Sequence, residues 1–167
     1  EAIFIVGDAR FLPFKQTSID CVFSYSVLQH LSREDVALVV SEIGRVLKSE
    51  GTARVQMPAK FGLRCLYHQM RRGFREGTGF DVRYWSLPSL RNLFSTRIGP
   101  TTFSVDCFFG IGLQFSDLRF MTPRLKVVVL MSELLRSISR FLAPLVWTAD
   151  SVYVSCSKVG IAQHGAP

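Results

Sequence analysis

Two rhythms of apolar and polar positions alternate over the first third of the chain. Residues 2–6 (Ala-Ile-Phe-Ile-Val) form a continuous apolar run, the pattern of a strand covered on both faces, and Gly7-Asp8-Ala9 ends it. Residues 19–25 (Ile-Asp-Cys-Val-Phe-Ser-Tyr) read as a second strand. Ser32 then opens a helix. Its side chain can cap a backbone N–H, and Glu34 and Asp35 follow in the first turn, where the helix dipole favours negative charge. Asp35 holds the third position of a capping box, more often Glu or Gln. Val36, Val39, Val40, Ile43, Val46 and Leu47 recur at steps of three and four and form one apolar face, with Glu42, Arg45 and Lys48 off it. Gly51 is expected to stop the helical region, and residues 52–57 alternate into a third strand closed by Pro58. Strand, strand, helix, strand implies crossover connections and a parallel sheet.

The remainder is less regular. Residues 61–75 predict a helix with Leu63, Leu66, Tyr67, Met70 and Phe74 on one face. Ser86 caps a further helix, with Pro88 in its first turn, that runs to about Phe94. Residues 102–114 are strand-like, and Gly110 and Gly112 mark a bulge or close packing. Residues 125–147 are strongly apolar, yet Lys126, Glu133, Arg136 and Arg140 fall within them and Pro144 breaks them. A spanning helix needs about 20 mostly uncharged residues, so this segment reads as an amphipathic helix covering the sheet, with contact to a membrane surface as the alternative. Residues 151–159 alternate as a last strand, and residues 163–167 read as a loose tail. No internal repeat or low-complexity stretch is visible.

Composition fits one domain: 167 residues, 48% hydrophobic and 20% charged, are enough to bury a core. The 14 phenylalanines suggest a thick aromatic core or an apolar pocket. A net charge of +7 either keeps the surface soluble or favours nucleic acid, anionic lipid or an acidic substrate. The basic residues are scattered except in Arg71-Arg72-Gly73-Phe74-Arg75. Cys21, Cys65, Cys107 and Cys156 have neither C-x-x-C nor zinc spacing. Cys21 and Cys156 lie in apolar runs, where a free cysteine is expected to be a small buried hydrophobe, as suits a reducing, cytoplasmic compartment. The chain opens directly into an apolar run with neither an initiator Met nor a leader, so a truncated or excised frame is expected.

The ordered motifs from Val6 to Met57 resemble class I S-adenosylmethionine-dependent methyltransferases. Val6-Gly7-Asp8-Ala9 with Leu12-Pro13-Phe14 looks like that family's third-strand motif. Ser18-Ile19-Asp20-Cys21-Val22-Phe23-Ser24 resembles the fourth, and Val27-Leu28-Gln29-His30-Leu31 the segment after it. Glu42-Ile43-Gly44-Arg45-Val46-Leu47-Lys48 and Gly51 resemble the approach to the fifth strand. Looser likenesses are Phe80-Asp81-Val82-Arg83-Tyr84-Trp85 and Ala149-Asp150-Ser151-Val152-Tyr153-Val154. The resemblance implies an α/β fold, a Rossmann-like doubly wound methyltransferase sheet lacking its first two strands, with the last strands as an antiparallel edge hairpin. It also implies a partial methyltransferase domain over residues 1–160. Residues 1–58 form the cofactor-side core, 59–120 the acceptor-site insertion and following strand, and 121–160 the helix and last strand. The family's glycine-rich loop and the acidic residue ending its second strand have no counterpart here, and Gly110-Ile111-Gly112 opens no helix that could replace the loop. Lys48-Ser49-Glu50-Gly51 stands where many members have Pro and Gly. Residues 2–6 then lack their native neighbours, so the chain alone is expected to be poorly stable and inactive.

The implied cofactor is S-adenosylmethionine. Asp8 is implied to accept a hydrogen bond from the adenine amino group, since an ionised Asp is acceptor-only, and the Ala9 backbone to read the ring edge. The alternative is that Asp8 simply starts a turn, but the neighbouring motif favours the cofactor role. Ser24, Ser26 and Leu28 are implied near the methionine part of the cofactor, and Gln29 near the acceptor. His30 is either a general base or a packing residue. Asp20 is read as fixing the local backbone. Tyr67, His68, Arg71, Arg72 and Arg75 lie where the family covers the acceptor, and they either bind an anionic substrate or form a solvated face. Tyr84 and Trp85 are pocket-wall or core aromatics. Methyl transfer from an activated sulfonium demands neither a metal nor a nucleophile, and no G-x-S-x-G, H-E-x-x-H or paired-carboxylate signature is present. The expected acceptor is a small molecule, lipid precursor or sugar, with no specific nucleic acid and at most weak membrane-surface contact. The rival is a non-catalytic binding module whose basic segment takes anionic ligands.

Overall fold

The computed structural model describes residues 2–110 and 119–160. Its centre is a four-stranded sheet of β1 (Ile19–Ser24), β2 (Leu47–Pro58), β3 (Thr101–Cys107) and β4 (Ser151–Ser157), in the order β1-β2-β4-β3. β1 and β2 are parallel, and β4 is antiparallel to both β2 and β3. The last two strands therefore form the expected antiparallel pair at one edge. β1, β2 and β3 run the same way, so their carboxyl ends share one rim.

α1 (Arg33–Val46) crosses from β1 to β2. Ser32 Oγ accepts from the Asp35 N–H at 3.0 Å and donates to its carboxylate at 2.9 Å, so the cap and first turn hold each other. The stripe read from the sequence is buried: Val36, Val40 and Ile43 meet Leu90 and Phe94 of α3 (Leu87–Arg97), over Ala53, Val55 and Met57 of β2 and Val152 and Val154 of β4. Each such side chain contributes on the order of 1.5–3 kcal/mol of burial. α2 (Leu63–Arg71) follows β2, α4 (Pro123–Ile138) packs on β3, and a short turn of 3-10 helix (Ala143–Thr148) leads into β4. Among the described residues no helix is long and apolar enough to cross a membrane.

Several expectations need correction. Residues 2–6 form no strand, and Ile3, Phe4 and Val6 are exposed. No described strand lies beside them, so their backbone groups have no ladder to join. The helix ends at Val46, not near Gly51, and β2 begins at once with Leu47. Leu47 pairs with Ile19 and Thr52 with Cys21, so residues 48–51 loop out of the register. There Glu50 takes φ +65, its N–H donates to the Lys158 carbonyl, and Lys48 bonds the Asp20 carboxylate. Asp20 thus serves an exposed ion pair. α3 runs to Arg97, past Phe94. The helix expected over residues 125–147 stops at Ile138. Cys21 is exposed, whereas Cys65, Cys107 and Cys156 are buried and free. Gly112, Gln114 and the tail at 163–167 lie outside the described residues.

Candidate functional site

A cleft of about 410 Å³ opens at the rim where β1, β2 and β3 end and β4 begins. Open α/β sheets place ligands at that end of their parallel strands. A larger hollow of about 510 Å³ lies between α3 and the 3-10 turn, lined by Leu87, Arg91, Phe103 and Trp147. Arg91, stacked on Phe103, is the one charged residue among those lining it, and the smaller cleft, which holds acids, a histidine and tyrosines, is the candidate site.

The rim is tied together by Gln56, which is buried near the end of β2. Its Oε1 accepts from the Ser26 N–H at 3.0 Å, and its Nε2 donates to Ser151 Oγ. Ser26 itself sits at φ +58, a left-handed turn that a serine adopts only when its surroundings hold it. Gln29 Nε2 donates to Ser26 Oγ at 2.8 Å. α2 forms the opposite wall. The buried Asp150 carboxylate accepts from the Cys65 N–H at 2.9 Å, near the start of that helix. The helix can approach so closely because residue 62 is glycine: a Cβ there would stand 2.4 Å from Asp150 Cα.

Burial sets the protonation of the cleft. It pushes the Cys65 thiol far up and the Cys107 thiol to about 12, so both stay neutral and neither is a nucleophile. It also raises the phenols of Tyr25 and Tyr84, and that of Tyr153 to about 12, leaving protonated donors. The Asp106 carboxyl is raised, chiefly by burial. The hydroxyls of Ser151 and Tyr153 and the charges of Arg136 and Arg54 pull it down by less. Neither hydroxyl reaches Asp106 Oδ2 with hydrogen-bond geometry, and that atom is buried without a partner.

Of the residues singled out in the sequence, Ser26, Gln29, His68 and Tyr84 line this cleft. Ser24 ends β1, half-buried beside it. The Leu28 side chain lies in the core, and Trp85 is likewise a core residue, joined to Ala59 by an isolated bridge. His30 stacks on Phe80 at 4.0 Å and its Nδ1 donates to the Phe80 carbonyl at 2.7 Å. Its Nε2 then accepts from Gln29 at 3.1 Å, so both ring nitrogens are engaged in holding the loop. Tyr67 and Arg71 are exposed outside the cleft. Arg72 lies in a separate surface hollow, where it donates to the Val82 carbonyl and stands 3.5 Å from Asp81. Arg75 lines that same hollow. Asp8 is exposed, and both of its oxygens are engaged by Arg10, whose guanidinium holds the carboxyl below its ordinary value. Ala9 is half-buried against the core. The sequence reading missed Tyr25, Gln56, Arg64, Asp106 and Asp150 as site residues. An acid set in the apolar run around Val105 and Cys107 was the available signal for Asp106.

The profile of one family, described as a methyltransferase domain, matches residues 1–55. Over that third of the chain the sequence is similar to a methyltransferase domain. The rest of the chain continues that domain's fold. It superposes on a complex between the Haloferax volcanii Trm112 methyltransferase activator and a methyltransferase with TM-score 0.58 and 18% identity, covering 96% of this chain and 63% of the other. It matches an S-adenosylmethionine-dependent methyltransferase from Thermotoga maritima with TM-score 0.60 and 14% identity, covering 93% and 64%. A third likeness is to Haemonchus contortus phosphoethanolamine N-methyltransferase 2 in complex with S-adenosylmethionine, with TM-score 0.51 and 18% identity, covering 92% and 36%. At these identities the likeness is one of fold, the class I methyltransferase sheet. The chain spans less than two thirds of the length of these structures. No curated protein matches it.

For the cofactor, the residues present fit one wall and not a whole cradle. The β1 end with Ser24 and the strained turn at Ser26 face the rim, whereas Asp8 is engaged by Arg10 and Leu28 is turned into the core.

Proposed function

We propose that the chain forms the acceptor-side part of an S-adenosylmethionine-dependent methyltransferase acting on a small molecule, a class that includes lipid precursors and sugars. One observation carries this reading: a polar cleft sits at the carboxyl ends of β1, β2 and β3, in a sheet whose leading motifs match a methyltransferase domain. The cofactor, when bound, supplies a methyl group already activated on a sulfonium, so the protein needs to align the acceptor and exclude water. Gln56 fixes the rim by bonding the ends of β1 and β4 at once. Gln29 and Tyr84 offer donors and acceptors to the acceptor molecule, and the α2 wall with His68 closes the far side. On the cofactor side, Asp8, Ala9, Ser24 and Ser26 are the positions the family motif assigns, with Asp8 released from Arg10 in the complex.

The basic-module alternative has weaker support. Arg72 stands 3.5 Å from Asp81, so an acidic neighbour offsets part of the basic segment. The test is transfer of labelled methyl from S-adenosylmethionine to a panel of small amines, alcohols and sugars, using the protein that carries this chain. Labelled product is expected, and Asp8→Ala should weaken cofactor binding in calorimetry. No product from any acceptor, together with cofactor affinity indifferent to Asp8→Ala, would overturn the assignment.

A further inference from the structure

Asp106 occupies an anomaly in the sheet. Val105 pairs with Val152 and Cys107 with Ser151, so two steps along β3 correspond to one along β4 and Asp106 is the extra residue. A bulge of this kind breaks the ladder and re-aims a side chain, and such bulges concentrate beside binding sites. Here the re-aimed side chain lines the cleft, and its Oδ2 is buried with no hydrogen-bond partner. Buried polar atoms in folded proteins are paired almost without exception, so an orphaned acceptor on a cleft wall calls for an external donor.

The neighbours determine what that donor is. Ser151 and Tyr153 on β4 and Tyr25 after β1 surround the carboxyl with neutral hydroxyls. The cations near it are occupied: Arg136 of α4 is bonded to Glu133, and Arg54 of β2 is stacked over the Tyr153 ring at 4.2 Å. Arg64 and His68 on the α2 wall are bonded to each other, and Arg64 also donates to the Phe109 and Gly110 carbonyls. Among the described residues the cleft wall therefore holds a carboxyl whose Oδ2 is buried without a partner, beside the rings of Tyr25 and Tyr84, while Arg64 is drawn towards His68 and the Phe109 and Gly110 carbonyls. At Asp106 that combination receives an N–H donor of positive charge and disfavours a carboxylate or phosphate placed against it.

We propose that Asp106 is the residue that selects the acceptor, and that the cleft takes amines, with the amine nitrogen donating a hydrogen bond to Asp106 Oδ2 while Tyr25 and Tyr84 flank the carbon skeleton. The proposal rests on the cleft being the acceptor site, and Arg71 and Arg72, read in the sequence either as anion-binding or as a solvated face, lie outside that cleft.

The test is binding, and it needs no cofactor. The full chain is titrated near neutral pH with 2-phenylethylamine, 2-phenylethanol and phenylacetate, matched in shape and differing in charge, and followed by calorimetry. The amine is expected to bind tightest and the acid weakest. Asp106→Asn, with its circular dichroism unchanged, should lose about tenfold or more in amine affinity while the alcohol changes little. Equal or tighter binding of the acid, full amine affinity in Asp106→Asn, or no binding of any probe would overturn the proposal. If that variant does not fold, the order of the three probes on the unaltered chain decides. A protein that binds the amine but transfers no methyl group refutes the enzyme reading alone, whereas methylation confined to acids refutes the role of Asp106 alone.

Discussion

Asp106 also gives the fold a pH dependence whose sign can be worked out. Burial raises its folded-state pKa above the ordinary carboxylate value, which it regains when the chain unfolds. The folded state therefore holds the proton longer. Stability falls as pH rises from the ordinary carboxylate range through the folded-state pKa, and stays lower above it. The groups facing it, Ser151 and Tyr153 on β4, Arg54 on β2 and Arg136 on α4, reduce this effect without reversing it. Asp106→Asn should accordingly melt at a higher temperature than the unaltered chain near neutral pH, and the gap should close towards about pH 4. A gap of the same size at both pH values would mean that the ionised carboxylate carries no burial cost. The sequence displayed the acid among apolar neighbours, but not its aim. The bulge that turns it depends on how β3 registers against β4, some 50 residues away, as the pairing of Val105 with Val152 requires. Asp8 and His30 show the reverse: their motif positions were legible, but the partners that engage them, Arg10 and Phe80, are set by the folded chain.

At the scale of elements, local signals were legible and non-local ones were not. α1 was readable because its cap and stripe lie within its own residues. The early start of β2 was not, because residues 47–51 are held by partners at Ile19 and Lys158. The same contrast gives a prediction at Gly44, where α1 passes α3. A Cβ there would stand 2.5 Å from the Arg97 carbonyl oxygen, a backbone atom that cannot swing aside. Intrinsic helix propensity says Gly44→Ala should gain up to about 1 kcal/mol. Overpacking says it should lose about 1–3 kcal/mol, and the clash with fixed backbone makes that the larger effect. Urea unfolding should therefore show Gly44→Ala less stable than the parent. A more stable variant would mean that α3 has room to retreat from α1.

On the scale of the whole molecule, the sheet order decided the fold while one edge escaped sequence reading. The apolar run at residues 2–6 has strand composition, yet composition is not pairing. Ile3, Phe4 and Val6 are exposed, and the segment after them is fastened to α1 by polar bonds instead. Glu42 accepts from the Leu12 N–H at 2.9 Å, Arg45 donates to the Leu12 and Phe14 carbonyls, and Arg10 reaches Asp35. The core formed by α1, α3, β2 and β4 is thus complete without residues 2–6. Replacing Phe4 and Val6 together by Asp should change the unfolding free energy of the 167-residue chain by no more than about 0.5 kcal/mol, as for surface positions generally. The same double change should lower binding of a hydrophobic dye, because it removes a contiguous exposed apolar patch. A large loss of stability would instead place these residues in a packed strand, with neighbours supplied from another copy of the chain, and would make that pairing part of how the sheet is held.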